Sequence, residues 1–272
     1  MAIALTEFTA MSGFRPLAEI AGYLNSYPEF RALVPSAQRF QQAIGAGSVA
    51  EREALMALFA ELMGADGDGV KEQLELLLAR TRESGAEEDR LVRQLSSEYP
   101  GDVGVFCVFV LNVLELAPGE AFYMGPNDPH AYISGDCVEC MATSDNVVRA
   151  GLTPKLRDVP VLLDMLTYEY GTPEAKLLRP APVAGGTLIY DPPIEEFAVL
   201  CTRVAPSHTE ELPAVDGPRV LIVADGRGSM AVCAESFALE PGTVFYIYPN
   251  SPVALSAAGG QPLVTYAAQC QA

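Results

Sequence analysis

The sequence predicts a mainly β protein with a helical domain set into it, and three observations lead there. Apolar residues recur at helical spacing from about Phe14 to Tyr99. After Pro100 the pattern changes to short apolar or alternating runs bounded by Pro, Gly, Asn and Asp, which is the signature of strands and turns. Within that second region one 16-residue segment occurs twice. Half of the 272 residues are hydrophobic and 19% are charged, so the chain can bury a sizeable core.

In the helical stretch, Ser48 followed by Glu51 spells a capping box, in which hydroxyl and carboxylate each satisfy a free backbone N–H at a helix start. Leu55, Leu58, Phe59 and Leu62 follow at i, i+3, i+4 and i+7 and lay an apolar stripe on one face. The run Gly64 to Gly69, GADGDG, separates this helix from a second, whose stripe is Val70, Leu74, Leu77 and Leu78. Alternating charges from Arg82 to Arg90 read as solvated surface, and the region carries no chemistry of its own. Beyond Pro100 one more helix is expected from Asp158, its N-cap, to Tyr170. A Pro-rich linker, Leu177 to Gly186, then leads into a second β-rich stretch that runs to the C-terminus.

The repeat joins the two β regions. Leu116 to Ala131 aligns without gaps on Leu239 to Ala254, with 9 of 16 positions identical. Its frame is P-G, an apolar strand containing F-Y, then P-N-x-P, which spells turn, strand, turn. Such strands in all-β units of several short strands point to jelly-roll barrels of the cupin type, two of them, plus an α-helical insertion. The copies differ at one chemically telling position: His130 in the first is Val253 in the second. If the histidine is a ligand, only the first barrel has a site.

Charge and composition exclude several classes. With 17 Lys+Arg against 35 Asp+Glu the formal charge is −18, the wrong sign for gripping a phosphate backbone, so no nucleic-acid partner is expected. The longest apolar run, Val103 to Leu111, is about half of a membrane span, and no basic start precedes an apolar leader, so no membrane partner and a cytoplasmic location are expected. Six cysteines in this length do not make a disulfide framework. Two histidines, His130 and His208, rule out a site of several His ligands built from these residues alone.

Chemistry concentrates between His130 and Arg157. This segment holds a histidine, the acids Asp136, Glu139 and Asp145, and the cations Arg149, Lys155 and Arg157. Across Gly101 to Ala184 there are 11 acids and 5 bases, and three of those bases fall within residues 149–157. Such a local cluster either serves an anionic substrate, with Arg as paired donor and Lys as point charge, or balances neighbouring acids such as Asp158. His130, at a strand start after N-D-P, is either a hydrogen-bonded structural residue or a ligand. His208, in PSHTEE, is expected on the exposed surface. Cys137 and Cys140 form a C-x-x-C, yet SGDCVECMA reads as a strand, where positions three apart face opposite ways, which argues against a redox pair. Gly226 to Ala231, GRGSMA, is read as a hairpin turn and not a phosphate loop, since it lacks the Lys and the following helix.

The block from His130 to Lys155 resembles the signature of the type I mannose-6-phosphate isomerase family: H-A-Y, a hydrophobic residue, Gly, E-x-M-A-x-S-D-N, then R-A-G-x-T-P-K. His130, Ala131, Tyr132, Gly135, Glu139, Met141, Ala142, Ser144, Asp145, Asn146, Arg149, Ala150, Gly151, Thr153, Pro154 and Lys155 meet its fixed positions. The likeness extends to the stretch after MAIALTEF and to the LxPGEAFY strand, and so covers essentially the whole chain. It implies a zinc-dependent cupin enzyme that interconverts mannose 6-phosphate and fructose 6-phosphate through an enediol, in the supply of GDP-mannose precursors. By resemblance, His130 is a zinc ligand and Arg149 the active-site cation, on the phosphate or on the enediolate. Glu139 and Asp145 are candidates for acid–base or orienting roles, and Tyr132 and Lys155 for substrate-pocket or structural ones. The implied partner is a small-molecule sugar phosphate.

The resemblance also implies a departure. The family draws three further zinc ligands, a Gln, a His and a Glu, from a stretch ending N-H-K-P-E that precedes the counterpart of MAIALTEF, with which this sequence opens. One Zn2+ per full-length chain is implied, and of four ligands only His130 is present. The expectation is an N-terminally truncated isomerase whose first barrel is incomplete and which is inactive as written, or else a non-catalytic cupin-like sugar-phosphate binder or partner subunit. The resulting division is a remnant of the central cupin barrel at 1–9, the helical domain at 10–99, the central barrel with the signature at 100–180, and a metal-free C-terminal cupin barrel at 181–272.

Overall fold

The computed structural model describes every residue except 145, 271 and 272. Its helical insertion leaves and re-enters one β ladder. Strand Phe8–Phe14 pairs antiparallel with Leu111–Leu116, with Phe8 opposite Leu116 and Phe14 opposite Leu111. Residues 10–14, expected to open the helical domain, therefore belong to a strand, and the first helix is Leu17–Ser26.

The insertion then runs through helices Pro28–Ala32, Ala37–Ala43, Ser48–Met63, Gly67–Thr81 and Glu87–Glu98. Both expected stripes face its core: Leu55, Leu58, Phe59 and Leu62 are fully buried, Val70, Leu74 and Leu77 nearly so, and Leu78 packs at the margin. The rings of Tyr27 and Phe30 pack on Phe109 in the same core. The capping box does not form. Gly45 and Gly47 turn the preceding loop on φ of +83° and +106°, so Gly47 takes the N-cap position and Ser48 is carried into the first turn. Glu51 instead accepts from the Gly45 N–H at 2.8 Å and the Tyr170 hydroxyl at 2.6 Å. The GADGDG separator is shorter than expected, because Asp66 caps the next helix by accepting from Asp68 and Gly69.

Residues 103–109, read from sequence as part of the β region, form a 3₁₀ helix buried on all sides, capped by Asp102. The first β unit is two small sheets. One orders Cys137–Glu139, Ala2–Ala4, Ala121–Phe122 and Leu177–Leu178; the other orders Leu111–Leu116, Phe8–Phe14 and His130–Ser134. The presumed linker is thus structural: Leu177–Leu178 closes the first sheet, and Ala181–Ala184 pairs with Thr187–Tyr190 in the second unit. Asp158 does cap its helix, accepting from Val161 N–H at 3.1 Å, but that helix ends at Met165. The chain then returns to the insertion, where Tyr168 stacks on Phe14 and Tyr170 bridges it.

The second unit packs a six-stranded sheet on a four-stranded one around Leu200, Leu221, Met230, Leu255 and Leu263. Gly226 to Ala231 does not make a hairpin. It carries the chain from Arg219–Asp225 in the larger sheet to Gly228–Val232 in the smaller, a corner opened by Gly226 at φ +79°. Met1 and Ile3 of the first unit pack with Tyr190, Phe197, Val199 and Tyr266 of the second. Among the described residues no helix is long and apolar enough to cross a membrane.

Candidate active site

The site grows from strand His130–Ser134. Alternation along it turns Ala131 and Ile133 into the core and leaves His130, Tyr132 and Ser134 on the outer face. The turn before it, Pro126 to Pro129, bends at Asn127 with φ +63°, a conformation Asn tolerates. The His130 ring is exposed, and its Nδ1 lies 2.9 Å from the Asp128 carbonyl, the geometry of an Nδ1–H donating to backbone. That leaves the Nε2 lone pair free for a ligand or proton.

Asp128 is itself fixed from three directions. Its carboxylate accepts from Gly125 N–H at 3.2 Å, from the Thr167 hydroxyl at 3.2 Å and from Lys176 Nζ at 2.6 Å. The ion pair is buried, with 7% of the Asp128 and 19% of the Lys176 side chain exposed. Lys176 reaches it across Gly13, where an added Cβ would stand 2.7 Å from Cε. The sequence reading missed this pair; its sole local trace is the Asp of P-N-D-P.

Tyr132 occupies the same outer face, with its ring edge-on to Phe8 and Phe122 at 5.4 and 6.1 Å between centroids and 6.1 Å from the His130 ring. Its hydroxyl donates to Glu139 Oε1 at 2.6 Å. Burial of the phenol, reinforced by that carboxylate, pushes its pKa above the usual tyrosine value, so the hydroxyl stays a donor at neutral pH. Glu139 ends the strand Cys137–Glu139, opposite Ala2. Cys137 packs on the cluster containing Phe8 and Phe122, and Cys140 on that containing Met1 and Ile3, so the two thiols face apart as expected. Burial raises both thiols above their ordinary pKa.

The cations stand on the irregular segment that follows. Asp102 Oδ1 accepts from both Gly104 N–H at 2.7 Å and Leu152 N–H at 3.0 Å, tying this segment to the buried 3₁₀ helix. Gly151 must be glycine there, since a Cβ would lie 2.7 Å from Gly104 Cα. Arg149 is half-buried; Lys155 and Arg157 are exposed. Among the described residues none of the three forms an ion pair, and Asp158 is occupied as a helix cap. Asp145 lies outside the described residues. The structure thus joins His130, Tyr132 and Glu139, while no described contact joins Arg149 or Lys155 to them. His208 is exposed on a loop of the second unit, its Nδ1 2.9 Å from the Pro206 carbonyl.

Zinc is bound by three or four clustered N, S or O donors. Among the described residues no three His, Cys, Asp or Glu side chains gather in that way. His130 offers one imidazole, and the described donor set does not fit a zinc ion.

Two cupin-type β units, an all-helical insertion spliced into one ladder of the first, and a histidine and tyrosine on one strand that meet a carboxylate from the strand Cys137–Glu139 define a cupin protein. A family profile described as the helical insertion domain of type I phosphomannose isomerase matches residues 34–111. Mannose-6-phosphate isomerase of Schizosaccharomyces pombe is 39% identical over 100% of this chain and 69% of its own length, and that of Bos taurus 41% over 99% and 67%. Phosphomannose isomerase of Salmonella typhimurium, in a structure bound to its substrate fructose 6-phosphate and to zinc, superimposes with a TM-score of 0.84 at 29% identity, over 100% of this chain and 66% of the other. A single-site variant of the same enzyme gives 0.86. The chain belongs to the type I phosphomannose isomerase family and spans about two thirds of the length of the relatives it matches.

Proposed function

We propose that the chain carries the fold and site residues of an isomerase that interconverts mannose 6-phosphate and fructose 6-phosphate, in the cytoplasm and in the supply of GDP-mannose precursors. The observation that carries this reading is the grouping of His130 and Tyr132 on one strand face with Glu139 hydrogen-bonded to Tyr132, in a fold shared with a Salmonella typhimurium enzyme bound to fructose 6-phosphate and zinc. Aldose–ketose exchange moves a proton between C1 and C2 and builds negative charge on the sugar oxygens. Tyr132 is held protonated as a hydrogen-bond donor toward such an oxygen or to Glu139, and Glu139 and Asp145 are the carboxylates for proton transfer or orientation. Arg149, without an ion-pair partner among the described residues, holds either the phosphate or the enediolate charge, and Lys155 borders the pocket.

His130 contributes one zinc ligand through Nε2, and the described residues gather no three-ligand set with it. These residues on their own therefore neither retain zinc nor isomerise the sugar; alone they act at most as a sugar-phosphate binder. The test is a fusion in which the leading third of the Bos taurus relative precedes Met1, assayed for fructose 6-phosphate formation with zinc. Turnover is expected, and Arg149→Ala is expected to reduce kcat roughly a hundred- to a thousand-fold, as for loss of a donor at a developing anion. A folded, zinc-loaded fusion without turnover would overturn the isomerase reading. An Arg149→Ala variant retaining more than about a tenth of kcat, about 1.4 kcal/mol on the barrier, would remove Arg149 from the mechanism.

A further inference from the structure

We propose that the second β unit binds a small organic monocarboxylate, its carboxylate on the Arg219 guanidinium and its short aliphatic body against Ile189, Leu200 and Leu212. Arg219 opens the strand Arg219–Asp225, in which Arg219, Leu221 and Val223 face inward while Val220 and Ile222 face out. Its side chain is therefore inside the unit, at 2% exposure. Nε donates to Gln269 Oε1 at 2.9 Å, between residues paired across the ladder, and this sets the plane of the guanidinium. Nη1 is buried and has no hydrogen-bond partner among the described residues. No carboxylate stands within ion-pair distance among them, and burial alone lowers the pKa of the group. A buried charge left without a counter-ion is costly, so an anion able to reach it gains a strong, charge-assisted hydrogen bond.

Space for that anion is present. A cavity of about 90 Å³ adjoins Arg219 and Gln269 and is walled by Thr187, Ile189, Leu200, Leu212 and Val215. One water needs only about 10–15 Å³, so several heavy atoms fit. The walls are mainly apolar, which calls for a ligand with a short hydrocarbon body. Two features select a monoanion over a phosphoryl group. The exposed Glu211 borders the same cavity and repels a dianion, and Arg219, Gln269 and Thr187 are few donors for three phosphoryl oxygens. A planar carboxylate matches the guanidinium fork. Val183 and Ala184, exposed on the edge strand Ala181–Ala184, border the entrance. This site lies in the unit that carries Val253 where the first has His130, and it plays no part in the proposed isomerisation.

Saturation-transfer NMR on the full chain with sodium butyrate, at fixed ionic strength, tests the proposal. Transfer to the butyrate methyl and methylene protons is expected, and an excess of inorganic phosphate should not displace it. Arg219→Met should abolish transfer. Val183→Trp, at an exposed rim position where folding is not at stake, should weaken butyrate binding at least tenfold by narrowing the entrance, and it decides the matter if Arg219→Met fails to fold. No transfer in the wild-type chain, transfer unchanged by Val183→Trp, or displacement by phosphate would each overturn the proposal.

Discussion

Replacing Lys176 by Met should unfasten the turn that presents His130. The substitution keeps the length of the side chain over Gly13 and removes only the charge that meets Asp128 Oδ2 at 2.6 Å. Removing one partner of a buried pair costs about 3–5 kcal/mol, because the other is left charged and poorly solvated. Here the Asp128 side chain is 7% exposed and keeps the Gly125 N–H and the Thr167 hydroxyl, so about 2–4 kcal/mol is the expected loss. With about 2–4 °C per kcal/mol for a chain of this size class, the melting temperature should fall by roughly 5–15 °C. Calorimetry measures that fall, and the Asp128→Asn, Lys176→Met double-mutant cycle isolates the coupling between the two side chains. Long-range ¹H–¹⁵N correlation should show His130 as the Nδ1–H tautomer in the wild type and as a mixture in Lys176→Met. Melting within about 1 °C of wild type, with the tautomer unchanged, would refute the claim that this pair holds the turn.

Asp102→Ala should loosen the Arg149 segment by removing one acceptor from two N–H groups; about 2–4 kcal/mol in urea unfolding and faster amide exchange at Leu152 are expected, with Asp102→Asn largely restoring both. Unaltered exchange at Leu152 would show that Asp102 does not anchor the segment. The Glu29–Arg80 pair, with two contacts of 2.8 Å, makes the helical insertion acid-sensitive, because the guanidinium holds the Glu29 carboxyl below its ordinary 4.5. A depressed folded value gives stability that is present above pH 4.5 and lost as pH falls through the folded pKa. Glu29→Gln should therefore flatten the stability profile below pH 4.5 while lowering stability at pH 7; an acid limb as steep as wild type would assign that limb to other carboxylates.

What the sequence disclosed follows from the range of each signal. Leu55, Leu58, Phe59 and Leu62 were legible because one helix face buries them together, and Cys137 and Cys140 because strand alternation sends them to separate clusters. Ser48 and Glu51 misled: the motif was present, but two left-handed glycines ahead of it moved the helix start by one residue. VGVFCVFVL reads the same as a buried strand or a buried 3₁₀ helix, since every position is apolar and no period distinguishes them. Leu177–Leu178, two residues followed closely by Pro180, was too short to register as a strand and was read as linker. At the site, His130 and Tyr132 were legible as the H-A-Y of the family signature, whereas Asp128 and Lys176 stand 48 residues apart and only the fold brings them together. The same holds for Asp102 and Leu152, at a separation of 50.

Metal content and turnover of the 272 residues by themselves test the central claim most directly. The chain is purified, dialysed against micromolar zinc, analysed for metal, and assayed for fructose 6-phosphate formed from mannose 6-phosphate. Because His130 is the one imidazole of the first unit and the described residues gather no three-ligand set, near-zero zinc per chain and no formation above the buffer rate are expected. One zinc per chain together with turnover abolished by His130→Ala would contradict the account, and would mean that these residues complete a metal site with His130 on their own.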